Sequence, residues 1–387
     1  MSDIHEVAGH RLTLLRNGEE YFPELIAAID AARQSICLET YIFAHDASGR
    51  RIADALRAAA QRGVVVQVLL DGFGSADLPP IWLTELSDAG VKVLWFRRDI
   101  SPFTLRRNRL RRMHRKLAVI DAEIAFVGGI NIINDAPTAG QAARLDYAVR
   151  VQGEVVKHIH REVLHLWRLV SWINLIPQRE HPHSLKSMRL RSPQVAFFIR
   201  DNLRHRRDIE RAYLRAIIGA QHEIIIANAY FLPGKRFRRA LHKAVQRGVR
   251  VVLLLQGQVE YRLQHYATLA LYDEMLKSGV EIYEYQASFL HAKVAVVDGE
   301  WATVGSSNID PFSLWLAREA NLVVQDSGFA GELRGSLLRE MQHAARPVIE
   351  LEWHARSLWG RIFLRGSYAL VRLLAGMTGY THKRDDI

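Results

Sequence analysis

The sequence contains one cysteine, Cys37, among 387 residues. A single thiol cannot form an internal disulfide, and it leaves no partner for a two-cysteine redox motif. Cys37 lies in the mostly apolar stretch Ser35–Leu38. We therefore expect a buried strand thiol that packs as a small apolar side chain.

Long apolar runs are missing as well. No stretch is apolar over the length of about 20 residues that a transmembrane helix needs, and residues 1–12 lack the apolar centre of a secretory signal. These absences favour a cytosolic start, with any lipid substrate reached from the membrane surface. If the substrate is a lipid, the expected location is peripheral, on the cytoplasmic side of the cell membrane.

Acidic residues are too few to balance the basic ones. The chain has 52 lysines and arginines against 41 aspartates and glutamates, which gives a net charge of +11. This charge suits an anionic partner, either phospholipid headgroups or nucleic acid, and composition does not choose between them. The chain also exceeds the limit of roughly 250–300 residues for a single hydrophobic core, so two domains are expected.

One short motif occurs twice in the sequence. The first copy runs from His114 to Asp121 and is followed by Gly-Gly-Ile-Asn at 128–131. The second runs from His291 to Asp298 and is followed by Gly-Ser-Ser-Asn at 305–308, and its histidine, lysine, aspartate and asparagine all lie 177 residues after their counterparts. The repeat predicts two copies of one structural unit whose reactive residues meet at a shared site.

Helices and strands are predicted to alternate around each copy of the motif. Val64–Leu70 and Val251–Leu255 are near-continuous apolar runs, typical of strands that are buried on both faces. The same four residues, Gln-Arg-Gly-Val, lead into both runs. This order predicts an α/β sandwich built on a largely buried sheet in each half of the chain.

The repeat divides the chain into four parts. Residues 1–175 are predicted to form the first domain, 176–195 a proline-containing linker, and 196–347 the second domain. In the basic segment 348–387, the pattern over 354–380 separates arginines from apolar and aromatic residues around a helix. Two alternatives are open for this segment, packing on the core or lying in the plane of a membrane.

A basic loop precedes the first motif. Residues 97–113 contain seven arginines and lead directly into His114. One interpretation is a solvated loop; the other is a region that attracts an anionic substrate or a membrane surface.

The histidine and lysine of each motif are suited to phosphoryl chemistry. They lie two residues apart in a predicted strand, so their side chains point to the same face. A lysine can hold a phosphate as a point charge, and near neutral pH one histidine can attack phosphorus while another protonates the leaving alcohol. No metal or other cofactor is required, since the lysines supply the positive charge. The candidate catalytic residues are those of both motifs: His114, Lys116, Asp121, His291, Lys293 and Asp298.

The two motif aspartates have a second interpretation. Asp121 and Asp298 lie at the far end of the predicted strand and on its other face, next to turn residues. A structural role is favoured there over a chemical one.

Five further polar residues are candidates around the pocket. Asn131, Ser306 and Asn308 follow the motifs and are expected to bind substrate by donating to phosphate oxygens. Asp146 and Glu319 each precede a predicted strand after the first and second motif, respectively. We expect both acids to orient the histidines by accepting a hydrogen bond from the second ring nitrogen.

The double motif resembles that of the phospholipase D superfamily, over about residues 15–345. The stretches 39–43, 113–116, 126–131 and 228–233 are most similar to bacterial cardiolipin synthases. Long cardiolipin synthases begin with two transmembrane helices, which this sequence lacks, so the resemblance is to the short type. The resemblance implies an α/β fold: two similar phospholipase D-like α/β/α sandwich domains with mixed, largely buried sheets, packed as a pseudo-twofold pair around one active site.

The resemblance also implies a ping-pong phosphatidyl transfer through a phosphohistidine. His114 is the expected nucleophile and His291 the expected acid and base. A phosphatidyl group would move from one phospholipid, with phosphatidylglycerol favoured, to the hydroxyl of another phosphatidylglycerol, and glycerol would leave. The expected partners are anionic phospholipids and a membrane surface, without nucleic acid. The alternatives are hydrolysis of phospholipid, a nuclease, and a lipid-binding protein without catalysis, the last disfavoured by the two intact motifs.

Overall fold

The computed structural model consists of two mixed β-sheets with helices on both faces of each. The described residues are 3–98, 112–134, 142–174, 194–201, 204–259, 262–310, 317–349, 364 and 366–371. Within them, the two halves of the chain build their sheets in the same strand order.

The first half supplies strands β1 (Ile4–Val7), β2 (His10–Arg16), β3 (Ser35–Thr40), β4 (Val65–Asp71), β5 (Lys92–Phe96), β6 (Arg112–Met113), β7 (Lys116–Ile120), β8 (Ile124–Gly128) and β9 (Tyr147–Gln152). Eight of them form one sheet, in the order β1-β2-β9-β8-β7-β3-β4-β5. Strands β3, β4 and β5 run parallel, and the other neighbours are antiparallel.

The second half supplies strands β10 (Val195–Arg200), β11 (Glu223–Asn228), β12 (Arg250–Gln256), β13 (Glu281–Tyr285), β14 (Lys293–Val297), β15 (Trp301–Gly305), β16 (Ala317–Gln325) and β17 (Ala345–Pro347). Their order is β10-β16-β15-β14-β11-β12-β13-β17, with β6 from the first half paired to β16. Across the second sheet, the seven neighbouring strands that start with β10 and end with β13 correspond one by one to the seven that start with β2 and end with β5 in the first sheet.

Helices cover both sheets. They are α1 (Asn17–Ala31), α2 (Ala47–Gln61), α3 (Pro80–Asp88), α4 (Glu154–Ile173), α5 (Asp208–Gly219), α6 (Lys235–Gln246), α7 (Arg262–Lys277) and α8 (Ser327–Ala344). Helix α2 begins at a cap in which the Asp46 carboxylate accepts from the amide of Gly49, and Asp326 caps α8 in the same way. Helices α1 to α3 pack on one face of the first sheet, and α5 to α7 pack on one face of the second.

The other face of each sheet contributes to a core that both halves share. Helices α4 and α8 lie there, and their buried residues Val156 and Leu333 belong to one cluster with Val149 of β9 and Leu322 of β16. Helix α4 also contacts β10, while α8 contacts β2. The two domains are therefore joined by a continuous apolar core, as expected for a tightly packed pair.

The chain segments before the two motif histidines cross from one half to the other. Met113 of β6 pairs in parallel with Arg318 of β16, and Leu145 forms the corresponding bridge with Leu290. Each crossing places a motif histidine beside the other half of the protein.

These observations confirm the predicted fold class, including the pseudo-twofold pairing of two α/β/α units. Cys37 is buried in β3, as expected. The domain boundaries stay a prediction, because residues 176–193 of the predicted linker 176–195 lie outside the described residues. Most of the loop 97–113 and of the segment 348–387 also lies outside them. In the described part of that last segment, Leu364 and Val371 are buried against the second domain.

Candidate active site

The first half-site lies where β7 begins. The backbone amide of His114 donates to the carbonyl of Arg318 at 2.9 Å, which ties the histidine to the second domain. The Lys116 ammonium donates to the carbonyl of His114 at 2.8 Å. Beyond Lys116, strand β7 is entirely apolar and buried, so the polar pair is confined to the strand's first end.

The second half-site repeats this arrangement. The amide of His291 donates to the carbonyl of Leu145 at 2.8 Å, now tying the histidine to the first domain. The Lys293 ammonium donates to the carbonyl of His291. Lys293 is fully buried, which is costly for an ammonium group unless an anion or several acceptors compensate it.

Each histidine is oriented by a carboxylate from the opposite domain. His114 Nδ1 lies 3.1 Å from Oε2 of Glu319, and His291 Nδ1 lies 2.6 Å from Oδ2 of Asp146. The carboxylates accept, so the network assigns the ring hydrogen to Nδ1 in both cases and leaves Nε2 available for chemistry. The sequence indicated the two acids but not this crossed pairing, which makes the pocket a joint product of both domains.

The residue that lies against each orienting carboxylate differs with the length of the acidic side chain. A Cβ at Gly129 would lie 2.3 Å from Oδ1 of Asp146, so only glycine leaves room for this acid. At the equivalent position, the hydroxyl of Ser306 donates to Oε2 of the longer Glu319 at 2.6 Å. The shorter acid therefore goes with glycine and the longer acid with serine.

Burial and clustered cations depress the basicity of the pocket. Burial lowers the pKa of His114, and burial together with the Lys293 and Arg144 cations lowers the pKa of His291 further. Burial also lowers the pKa of Lys116 to about 7, with Lys293 acting in the same direction. Lys293 is therefore close enough to Lys116 to disfavour its charged form.

Positive charge near the motif histidines comes from Lys116, Lys293 and Arg144. Among the residues that the structure describes, no group of three or more histidine, cysteine or carboxylate side chains is arranged to hold a metal ion.

The predicted substrate-binding residues lie beside the pocket but are partly engaged by the protein. Asn131 accepts from the amide of Ile42 at 3.2 Å, so its side-chain nitrogen is the group left to meet a substrate. Ser306 is committed to Glu319 and also accepts from the amide of Ala320 at 3.1 Å. Asn308 is buried after β15. Their role as phosphate donors stays a prediction.

Asp121 and Asp298 lie at the opposite ends of their strands from the histidines. The Asp121 carboxylate accepts from three consecutive backbone amides, those of residues 33–35, at 2.7–2.8 Å. Asp298 accepts in the same way from residues 221–223 at 2.8–2.9 Å. Although partial burial opposes it, these amide donors hold the pKa of both carboxyls below the usual range. The contacts agree with the structural interpretation of these two residues and hold them away from the reacting groups.

Two residues at the pocket were not singled out from the sequence. The ring centre of Tyr41 lies 5.0 Å from that of His114 and 5.2 Å from the Lys116 ammonium. Gly74 packs against this ring, where a Cβ would approach it to 2.9 Å. Asn228 is fully buried opposite Lys293 in the β11–β14 ladder, and its side-chain nitrogen has no hydrogen-bond partner within the described part of the chain. The position of Asn228 opposite Lys293 follows from the strand register, which the sequence alone does not give.

Both halves of the sequence match the same protein-family model. The family model described as "Cardiolipin synthase, PLD-like domain" matches residues 25–167 and 213–341, one match for each domain. The chain belongs to this family. Both matched segments contain a motif histidine, lysine and aspartate.

Relatives within the cardiolipin synthase family span most of the chain. A protein named cardiolipin synthase B from Shigella flexneri is 42% identical over 381 residues, which cover 96% of this chain and 91% of the relative. A cardiolipin synthase A from Citrobacter koseri is 31% identical over 96% of this chain and 77% of its own length. Among solved structures, a phosphatidylserine synthase from Haemophilus influenzae Rd KW20 matches with a TM-score of 0.69, at 15% identity and with 94% of both chains covered. That likeness shows the shared fold.

None of the described helices is both long and apolar enough to cross a membrane.

Proposed function

We propose that the protein is a phosphatidyltransferase of the cardiolipin synthase type. It moves a phosphatidyl group from one phospholipid, preferentially phosphatidylglycerol, to the hydroxyl of a second phosphatidylglycerol, and glycerol leaves. The observation that carries this proposal is the pair of histidines, each oriented through Nδ1 by an acid of the opposite domain and each next to a buried lysine. The family membership and the names of the relatives supply the lipid chemistry.

In the first step, Nε2 of His114 attacks the phosphorus of the donor lipid. The bond from phosphorus to the glycerol oxygen breaks, and protonated His291 gives its proton to that oxygen, so that glycerol leaves neutral. Lys116 and Lys293 hold the two non-bridging oxygens of the phosphate, which carry its negative charge throughout. The buried amide of Asn228 is a further donor for a phosphate oxygen.

In the second step, His291 acts as the base. It takes the proton of the acceptor hydroxyl, whose oxygen attacks phosphorus and releases His114 from the phosphohistidine. The result is cardiolipin, with both histidines returned to their starting state, so the cycle balances without a cofactor.

The hydrogen bonds of the two acids support this division of roles. Asp146 lies 2.6 Å from His291, and a short bond to a carboxylate stabilises the imidazolium that an acid catalyst needs. Glu319 shares the same oxygen between His114 at 3.1 Å and Ser306 at 2.6 Å, which weakens its hold on a proton at His114. His114 is therefore suited to act as a neutral nucleophile. Burial and the neighbouring lysines lower the pKa of His291 in the free pocket, and the anionic phosphate of a bound lipid offsets the lysine charge and so favours the protonated His291 that the first step needs.

The proposed working place is the surface of the cell membrane on its cytoplasmic side. The lipid substrates are in the bilayer, and the net charge of +11 attracts a surface rich in anionic lipids.

Product analysis with purified protein tests the proposal. Vesicles of phosphatidylglycerol labelled in the acyl chains should yield labelled cardiolipin and an equal amount of glycerol. His114→Ala should abolish both products, whereas His165→Ala, an exposed change on α4, should retain them. Phosphatidic acid as the main product would show that the protein hydrolyses phospholipid rather than transferring the phosphatidyl group. Unchanged cardiolipin formation in His114→Ala would exclude a covalent intermediate on His114.

A further inference from the structure

Several exposed apolar side chains follow the strand ends beside which the active site lies. The parallel strands β3 to β5 and β11 to β13 all end at this site, with β4 ending at Asp71 and β12 at Gln256. Phe73, in the loop after β4, is 65% exposed. In the second domain, exposed Val259 follows β12 and exposed Leu263 lies in the first turn of α7.

Phe73 is linked to the catalytic residues by a short series of contacts. The Asp71 carboxylate accepts from the amide of Met113 at 2.7 Å and from that of Phe73 at 3.0 Å, which holds this loop beside the chain entering His114. The next residue, Gly74, packs on the Tyr41 ring that contacts His114. Phe73 is therefore at the edge of the pocket, and its ring faces outwards.

Helix α4 brings a second aromatic side chain to the same end. The helix has 20 residues, about 30 Å in length, whereas the five residues of β5 span only about 17 Å. It starts at the far end of the sheet, after β9, and its residues Trp167 and Val170 pack with Phe96, the last residue of β5. Its final turn therefore reaches past the strand ends, where Trp172 is 76% exposed and Ile173 is also exposed.

Arginines accompany these apolar groups. The Arg112 guanidinium lies 4.7 Å from the centre of the Phe73 ring, and that of Arg98 lies 4.5 Å from the Trp95 ring. Arg168 is exposed one turn before Trp172 on α4. Apolar and aromatic tips interleaved with arginines are the pattern of a surface that lies at the boundary between lipid headgroups and acyl chains.

We propose that this end of the protein, the mouth face formed by Phe73, Trp172, Ile173, Val259 and Leu263, seats directly on an anionic lipid bilayer. Phe73 and Trp172 enter the headgroup–acyl boundary, and Arg98, Arg112 and Arg168 lie at the level of the phosphates. The proposal rests on the proposed function, since a lipid whose phosphate reaches His114 must leave its acyl chains in the membrane. Seating the mouth face on the bilayer lets a lipid enter the pocket headgroup first without exposing its chains to water.

Cosedimentation with vesicles tests the surface without requiring turnover. The full-length protein, Phe73→Ser, Trp172→Ser and the double variant are compared on vesicles of phosphatidylglycerol with phosphatidylethanolamine and on vesicles of phosphatidylcholine alone. The matched control is Ile218→Ser, because Ile218 is 62% exposed at the end of α5, near the segment bonded to Asp298 and far from the pocket. Melting curves check that each variant is folded.

The double variant should bind the anionic vesicles at least about tenfold more weakly, with each single change contributing part of the loss. Ile218→Ser should bind as the unchanged protein does, and the phosphatidylcholine vesicles should bind the unchanged protein more weakly than the anionic ones. Turnover of detergent-dispersed lipid should stay within about twofold, because the catalytic groups are untouched. A double variant that binds anionic vesicles with unchanged affinity, or a loss equal to that of Ile218→Ser, would overturn the proposal even if the protein transfers phosphatidyl groups.

Discussion

Replacing Gly129 by serine copies into the first half-site the residue that the second half-site has at this position. The new Cβ would lie 2.3 Å from Oδ1 and 2.6 Å from Oδ2 of Asp146, whereas ordinary van der Waals contact begins at 3.4 Å. The carboxylate must therefore retreat by about 1 Å, and a catalytic misplacement of this size costs about 100-fold in rate. The 2.6 Å bond to His291 is the contact that is lost.

We expect Gly129→Ser to lower kcat/KM for phosphatidyl transfer about 100-fold, which corresponds to about 2.7 kcal/mol of transition-state stabilisation. Gly219→Ala is the matched control, since a Cβ at Gly219 has no neighbour within 4 Å. Steady-state kinetics on mixed micelles of phosphatidylglycerol measure both variants, and urea unfolding separates lost activity from lost structure.

The double variant Gly129→Ser with Asp146→Glu recreates the serine–glutamate pair of the second half-site. It should recover at least about tenfold of the lost activity, because the longer acid reaches His291 from further away and can accept from the new hydroxyl. Activity of Gly129→Ser within threefold of the unchanged protein, or no recovery in a folded double variant, would refute the matching of acid length to the residue beneath it.

Three further predictions concern single residues. Sulfate, a dianion across the neutral range, should bind the free protein more weakly as pH rises through about 7, where Lys116 loses its proton. In calorimetric titrations, Lys116→Arg should remove this pH dependence. Sulfate affinity that does not change with pH in the unchanged protein would contradict the prediction. Tyr41→Ala should lower kcat by about tenfold while Tyr41→Phe stays within about twofold, since the ring makes the contact with His114; equal losses in both would assign the effect to the hydroxyl. Asp121→Asn should destabilise the protein by about 1–3 kcal/mol in urea unfolding, because it weakens three hydrogen bonds to backbone amides. The kcat should be retained. A large loss of kcat at unchanged stability would instead assign Asp121 a role in the reaction.

The elements nearest the motifs could be predicted because local patterns determine them. The apolar runs of β4 and β12 are buried on both faces, and the repeat of the motif at a constant spacing indicated two similar units. The N-terminal hairpin of β1 and β2 was not foreseen. Its residues are polar on one face, and β2 becomes a strand because it pairs with β9, more than 130 residues later in the chain.

The crossed pairing of the acids could not be read from spacing. Glu319 lies closer in sequence to His291 than to His114, yet it bonds His114 because the chain crosses between the domains at Met113 and Leu290. Tyr41 and Asn228 were missed for a related reason. Both lie in stretches that carry the family resemblance, 39–43 and 228–233, but their positions beside the motif residues depend on the strand register and on a neighbouring loop.

Mapping the covalent intermediate is the most direct test of a pocket in which two histidines, one from each domain, serve one phosphorus. Protein mixed with acyl-labelled phosphatidylglycerol is quenched within a single turnover, digested and analysed by mass spectrometry under conditions that preserve phosphohistidine. We predict a phosphatidyl group on His114, accompanied by an equal amount of released glycerol and absent from His114→Ala. Label on His291 instead, or cardiolipin formed in the first turnover with no label on either histidine, would contradict this account.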